Sequence, residues 1–239
     1  MILGIDFTSS NKQINDPNSL HYLKDDQFNS YEKAINSCGN IVSYYDYDQM
    51  FPVFGYGAVL PSSDLVNHCF PINFMDDPNI ITIPRINTNY RECLSKIKLY
   101  GPTYFAPMIN KAIEITKSTL HDKDVYYVLM ILTDGLINDM KPTIDLLVEA
   151  SSLALSIIII GVGDGNFTNM EILDADINPL MNSKGKRAQR DLVQFVEFKK
   201  FENDGNKLAK EVLEEIPGQV ESYFDMIDKP PNDPINLNF

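Results

Sequence analysis

A chain of 239 residues with 44% hydrophobic content is long enough to bury one sizeable core, and a single α/β domain is the default at this length. A formal net charge of −13 opposes phosphate backbones and anionic lipid headgroups, which argues against nucleic acid as a partner. The three cysteines, Cys38, Cys69 and Cys93, form no Cys-x-x-Cys or Cys/His cluster, so neither a zinc site nor a disulfide framework is expected and a reducing, intracellular setting fits best. The apolar runs, that near Ile157 to Ile160 among them, are far short of a membrane span, and the N-terminus lacks the basic flank and cleavage site of a signal peptide. The expectation is a soluble protein.

In chain order, Ile2-Leu3-Gly4-Ile5 predicts a buried strand, closed by Asp6-Phe7-Thr8-Ser9-Ser10. Tyr31, Ala34, Ile35, Cys38, Ile41, Val42 and Tyr45 recur at helical spacing and predict a helix over 30–45, capped by Ser30. Residues 51–58 read as a strand and 69–73 as a short antiparallel neighbour. Ile86, Tyr90, Cys93, Leu94 and Ile97 mark a second helix, and 105–119 a third, with Thr103 between them after Gly101-Pro102. Segments 125–133 and 156–162 are near-continuous apolar runs, as parallel strands covered on both faces require, with a helix over 143–152 between them. Residues 193–198 supply an edge strand. A helix over 207–216 is broken or restarted by Pro217, and 219–227 continues as a short helical segment. The whole predicts one domain over 1–227, an α/β doubly wound, mostly parallel six-stranded sheet with one short antiparallel strand and helices on both faces. The Pro- and Asn-rich tail, 228–239, is expected to be disordered.

Five oxygen-bearing side chains stand at predicted strand ends or on a loop: Asp6, Thr8 and Ser10 after the first strand, Thr103, and Asp134 before Gly135. In an open α/β sheet, binding crevices form outside the carboxyl ends of the parallel strands, so these residues can meet. Singly, each is an ordinary strand end or cap. Together they suit a hard cation such as Mg²⁺, which takes octahedral oxygen ligands and retains water. Two carboxylates would balance one dication. Ser9 and Asn11 are candidates only for supporting contacts, while Phe7, Tyr104 and Phe105 flank the loops and are expected to shape the rim.

Other features carry less. His21, His68 and His121 are isolated and read as packed or surface residues. Lys184, Lys186, Arg187 and Arg190 read as a solvated, exposed loop. Asp164 after Gly161-Val162-Gly163 imitates part of a dinucleotide fingerprint but follows a late strand and lacks the third glycine. There is no Gly-x-Ser-x-Gly elbow, phosphate loop or kinase signature, so no catalytic residue is named and an enzyme is not expected.

Asp6-Phe7-Thr8-Ser9-Ser10, the loop Thr103 and Asp134 resemble the metal-ion-dependent adhesion site of von Willebrand factor A domains, with Thr8 in place of the first Ser. The stretches Leu99-Tyr100-Gly101-Pro102-Thr103-Tyr104-Phe105-Ala106-Pro107, Phe51-Pro52-Val53-Phe54-Gly55-Tyr56-Gly57-Ala58 and Arg190-Asp191-Leu192-Val193-Gln194-Phe195-Val196 are similar to the A domain of copines, in the right order from Ile2 to Tyr223. The resemblance implies that Ser10 and Thr8 bind Mg²⁺ or Mn²⁺ directly. Thr103 joins in the ligand-ready state, and Asp6 and Asp134 act directly or through water. It also implies a cytoplasmic, metal-dependent signalling module that captures intracellular proteins through an acidic residue. Copines carry two C2 domains before the A domain, and the family's calcium-dependent phospholipid binding belongs to those, so any membrane contact is expected only through C2 domains not present here. The chain thus resembles an excised or shortened A domain. The alternatives are a Mg-dependent phosphotransferase or hydrolase, for which a phosphate cradle is missing, and the substrate-binding domain of a RING-type ubiquitin ligase, whose eight Cys/His ligands are absent from this sequence.

Overall fold

The computed structural model describes residues 1–24, 26–61, 63–119, 125–175 and 178–230. Among them the elements run β1 (Ile2–Asp6), α1 (Ser30–Ser43), β2 (Met50–Tyr56), β3 (Ala58–Val59), β4 (Val66–Asn67), β5 (Phe70–Pro71), β6 (Asn79–Ile81), α2 (Ile83–Leu94), β7 (Lys98–Leu99) and α3 (Ala106–Ser118). They continue with β8 (Tyr127–Thr133), α4 (Met140–Ala150), β9 (Leu155–Gly161), α5 (Thr168–Asp174), β10 (Val193–Glu197), α6 (Gly205–Leu213) and α7 (Ile216–Met226). The main sheet is ordered β10-β9-β8-β1-β2-β5, parallel from β10 to β2, with β5 antiparallel at the edge. This is the predicted six-strand path. β6 adds a second antiparallel partner to β2, and β3 forms a small separate sheet with β4 and β7.

The apolar runs explain the layering. Leu3 and Ile5 face a core with Tyr31, Ile35, Ile83 and Cys93 of α1 and α2, and with Leu208 of α6. Ile2, Leu129 and Ile131 face the other core with Ile109, Leu147 and Met170 of α3, α4 and α5. Every residue of β1 and β9 is buried, because helices cover both faces of these strands. Strand order reverses beside β1, since the chain leaves it through α1 to β2 on one side while β8 continues through α4 to β9 on the other. That reversal opens a crevice at the carboxyl ends of β1 and β8.

Several local expectations are corrected. The cap of α1 is Asn29, not Ser30: the Asn29 side chain accepts from the Glu32 N–H while the Glu32 carboxylate accepts from the Asn29 N–H at 2.9 Å. This reciprocal pair needs a Glu three residues after the cap, which selects position 29. The helix stops at Ser43, so Tyr45 is exposed rather than inward. α2 begins at Ile83 because Pro84 sits in the first turn, where its missing N–H costs nothing, and Pro217 does the same for α7. α5 was not anticipated. Of the tail, residues 231–239 lie outside the described residues, as does His121; before them the Lys229 N–H still donates to the Phe224 carbonyl at 3.0 Å.

Arg190 departs most from expectation. It is buried, whereas Lys184, Lys186 and Arg187 are exposed as predicted. Its guanidinium donates to the carbonyls of Leu153 at 2.7 Å and Leu155 at 2.6 Å, and lies 5.8 and 5.7 Å from the ring centroids of Tyr126 and Tyr223. It thereby ties the start of β9 to α7. Arg190→Ala should lower unfolding free energy by about 3 kcal/mol in urea titrations, because buried carbonyls lose charge-assisted donors and two rings lose their cation. Arg190→Lys should recover only part of this.

Candidate metal site

Asp6 is the last residue of β1 and is fully buried. The Thr8 N–H donates to its Oδ1 at 2.8 Å, the Thr8 hydroxyl donates to the same oxygen at 2.6 Å, and the Thr133 hydroxyl donates to Oδ2 at 3.1 Å. Ser10 Oγ is hydrogen-bonded to Thr8 Oγ1 at 2.9 Å, and Ser10 lies beside Asp134, whose ionised form it favours. Asp6, Thr8 and Ser10 therefore form one hydrogen-bonded chain of oxygens after β1, with the Asp134 carboxylate beside it at the end of β8. Thr103 is buried at the same edge: Thr8 forms an isolated parallel bridge with Tyr100, and the Ser9 N–H donates to the Tyr100 carbonyl. The contacts that hold Thr103 are backbone ones, from its N–H to Asn138 Oδ1 at 2.8 Å and from the Asn138 N–H to its carbonyl at 2.9 Å.

The donor chemistry fits a hard dication. A hydroxyl has one proton. With that of Thr8 on Asp6, the Ser10 hydroxyl donates to Thr8 Oγ1 across 2.9 Å, and both oxygens keep lone pairs for a cation. For ligands at 2.1 Å, adjacent oxygens of an octahedral Mg²⁺ shell are about 3.0 Å apart, so the pair already has the spacing of two neighbouring ligands. Among the described residues no three His, Cys, Asp or Glu side chains cluster as a metal-ligand group, so a site here would draw on hydroxyls for the rest of its donors.

Burial, and then the charge of Asp134, pushes Asp6 from 3.8 up to about 7. Burial raises Asp134 as well. A cation beside them would reverse both effects by favouring the ionised forms.

Close backbone approach fixes the site from two sides. Gly57 has φ +80°, and a Cβ there would fall 2.2 Å from Thr8 Cγ2. A Cβ on Gly165 would fall 1.8 Å from the Asp134 carbonyl oxygen. Sequence reasoning missed both glycines, along with Thr133, Asn138 and Asp139. Asp139 directly precedes α4, but its carboxylate accepts from the Phe105 and Ala106 N–H groups at 2.9 and 2.8 Å and so caps α3 instead. An Asx pair just after Asp134 was the available signal. Phe7 and Phe105 are wholly buried, which corrects their assignment to the rim; Tyr104 is half-buried, its ring 4.5 Å from that of His68. Asn11 is buried and accepts from the Tyr31 hydroxyl at 2.8 Å, while Ser9 is exposed. Asp164 is exposed and ion-paired with Lys199. A cleft of about 470 Å³ opens beside Ser10 and Asp134, lined also by Lys12, Asn18, Leu20 and Leu136.

The raised Asp6 has a calculable consequence. A carboxyl whose folded pKa exceeds its unfolded value stabilises the fold fully below about 3.8, and that contribution is lost as pH rises through about 7. In EDTA, Asp6→Asn should match the wild type near pH 4 and exceed it above pH 7, by on the order of 1–2 kcal/mol. Thermal melts across that range measure the gap, and a gap that shrinks with rising pH contradicts the assignment.

Comparison with known proteins follows the same outline. The Copine family model matches residues 19–232. Copine-A of Dictyostelium discoideum is 44% identical over 234 residues, 97% of this chain and 39% of that protein. Copine-C of the same organism is 43% identical over 239 residues, 98% of this chain and 44% of that protein. This chain thus spans less than half the length of the relatives it matches. Among solved structures, the manganese-loaded TRAP protein of Plasmodium vivax superposes with a TM-score of 0.53 at 13% identity, covering 84% of this chain and 69% of that one. The fold is that of a von Willebrand factor A domain, and the chain belongs to the copine family.

Proposed function

We propose that this domain is a metal-dependent protein-binding module, acting in the cytoplasm, in which Asp6, Thr8, Ser10, Thr103 and Asp134 hold Mg²⁺ or Mn²⁺. The observation that carries this reading is the hydrogen-bonded run of oxygens from Asp6 through Thr8 to Ser10, with the Asp134 carboxylate close enough to raise Asp6. When bound, the ion offers an open coordination position to a carboxylate of a partner protein. The chain's own residues do the rest. Asp6 and Asp134 bring two negative charges, which a dication neutralises, so an incoming Asp or Glu meets no wall of local negative charge. Thr8 and Ser10 donate lone pairs without adding charge. The 470 Å³ cleft beside Ser10 and Asp134 gives the residues flanking that carboxylate a place to lie.

A binding role is favoured over catalysis because the Thr8 hydroxyl already donates to Asp6, which is itself a proposed ligand and so is no separate base to activate it. Calcium-dependent phospholipid binding is a property we attribute to other parts of full-length relatives.

Isothermal titration with Mn²⁺ and capture of partner proteins in Mg²⁺ or EDTA, on the same variants, test the two links separately. Asp6→Ala and Asp134→Ala should abolish detectable Mn²⁺ binding, leave the melt cooperative, and remove the metal-dependent fraction of captured protein. Gly165→Ala, which must push its loop away from the Asp134 carbonyl, should weaken Mn²⁺ about tenfold without touching a ligand side chain. Variants that lose the ion yet capture the same proteins equally well would place recognition elsewhere on the domain.

A further inference from the structure

We infer that His21 is a positioning residue for the oxygen chain: an Nε2-protonated imidazole that grips the Asp6 carbonyl and so fixes the turn bearing Thr8 and Ser10. The consequence for ion affinity rests on the metal-site reading above; the positioning itself does not.

His21 is completely buried. Its Nε2 lies 2.9 Å from the Asp6 carbonyl oxygen, and its Nδ1 lies 2.6 Å from the Tyr90 hydroxyl. A carbonyl can only accept, so Nε2 carries the proton, Nδ1 is bare and Tyr90 donates to it. The Tyr90 oxygen in turn accepts from Asn29 Nδ2 at 3.1 Å, and Asn29 is the cap of α1. One imidazole therefore links the end of β1 to the start of α1 and to the middle of α2. The ring is stacked on Tyr31 at 4.2 Å and Phe7 at 5.5 Å between centroids, which leaves it little freedom to turn.

The segment that brings His21 inward is pinned to the same turn. The Ser19 hydroxyl lies within 2.9 Å of the Asn11 and Lys12 carbonyls and accepts from the His21 N–H at 3.1 Å. Leu20 N–H donates to the Asn11 carbonyl at 3.1 Å. Tyr31, which stacks on the imidazole, also donates to Asn11 Oδ1, and Asn11 Nδ2 donates to the Thr8 carbonyl at 3.2 Å. The backbone on both sides of Thr8 is thus held from beneath, at Asp6 by His21 and at Thr8 by Asn11. The two ring nitrogens are met by groups on two different elements, the Asp6 carbonyl at the end of β1 and the Tyr90 hydroxyl on α2, so the imidazole bridges them directly.

Three variants decide the matter. His21→Phe keeps a flat ring against Tyr31 and Phe7 but removes both nitrogens. His21→Gln restores a side-chain N–H for the Asp6 carbonyl, and Tyr90→Phe leaves His21 in place without its Nδ1 partner. The first readout is amide hydrogen exchange of Thr8 in EDTA, whose N–H donates to Asp6 Oδ1, against amides of β9 as the measure of global stability. The second is Mn²⁺ affinity. His21→Phe should speed Thr8 exchange about tenfold with β9 unchanged, and should weaken Mn²⁺ about tenfold. His21→Gln should recover most of both. Wild-type exchange at Thr8 in a folded His21→Phe, or a Gln variant no better than Phe, overturns the proposal. If His21→Phe does not fold, Tyr90→Phe takes its place, and wild-type values there overturn it equally. A wild-type protein that binds no Mn²⁺ defeats the metal reading alone, because Thr8 exchange still reports whether His21 holds the turn.

Discussion

A buried carboxylate, Asp6, meets a half-buried one, Asp134, where the strand order reverses, and much of the domain's local detail answers to that. Asp6 is buried because β1 lies in the middle of the sheet with helices on both faces, a position forced by its all-apolar sequence. Desolvation of the carboxylate is costly unless donors or a cation meet it. Thr8 and Thr133 supply three hydrogen bonds to it, and these still leave it raised to about 7 beside Asp134. The carboxylates at this crevice are thus incompletely answered by the protein's own donors, an arrangement a bound dication would relieve.

Precision at such a site comes from what surrounds it. Gly57 and Gly165 allow backbone to approach Thr8 and Asp134 more closely than any side chain permits. On the far side, the loop carrying Thr103 is clasped by Asn138, while Asp139 caps α3 through the N–H groups of Phe105 and Ala106. A carboxylate at a helix N-terminus also meets the positive end of the helix dipole, which strengthens the clasp. Because Asn138 and Asp139 follow Asp134 on one short loop, the Thr103 loop and the Asp134 loop are mechanically joined. Thr103 can therefore move toward or away from the oxygen chain only if that whole connection moves.

How much of this was legible depends on range. The apolar runs of β8 and β9 announced parallel strands because strands buried on both faces carry no alternation to confuse, and the order of Asp6, Thr8, Ser10 and Asp134 was readable because strand ends in an α/β sheet converge by topology. Short-range rivalry hid other details. Ser30 and Asn29 are both competent caps, and only the Glu32 side chain returning to position 29 separates them. β3, β4 and β7 are two residues each, too short for any period. Long-range pairings were the least visible. Arg190 reads as the end of a basic loop until Leu153, Leu155 and two tyrosine rings are seen around it. His21 reads as an isolated histidine until Asp6 and Tyr90 close on it. Phe7 and Phe105 are next to the metal loops in sequence but alternate into the core.

The charge of the whole chain bears on how such a site can work. At −13 the domain repels an acidic partner at long range, and that repulsion extends about 8 Å at physiological salt before screening removes it. Attraction must then be local. Under the proposed reading, a dication between Asp6 and Asp134 would cancel their charge within the first few ångströms, where screening does not reach, and the exposed Lys12 lines the adjoining cleft. Long-range repulsion and short-range capture act on different length scales, so they filter rather than cancel. A diffuse anionic surface would be turned away, whereas a single carboxylate on a protruding segment could pass the repulsive shell and reach an ion held as proposed. Under the proposed reading, such an anionic domain would choose among acidic partners by the shape in which the acid is offered.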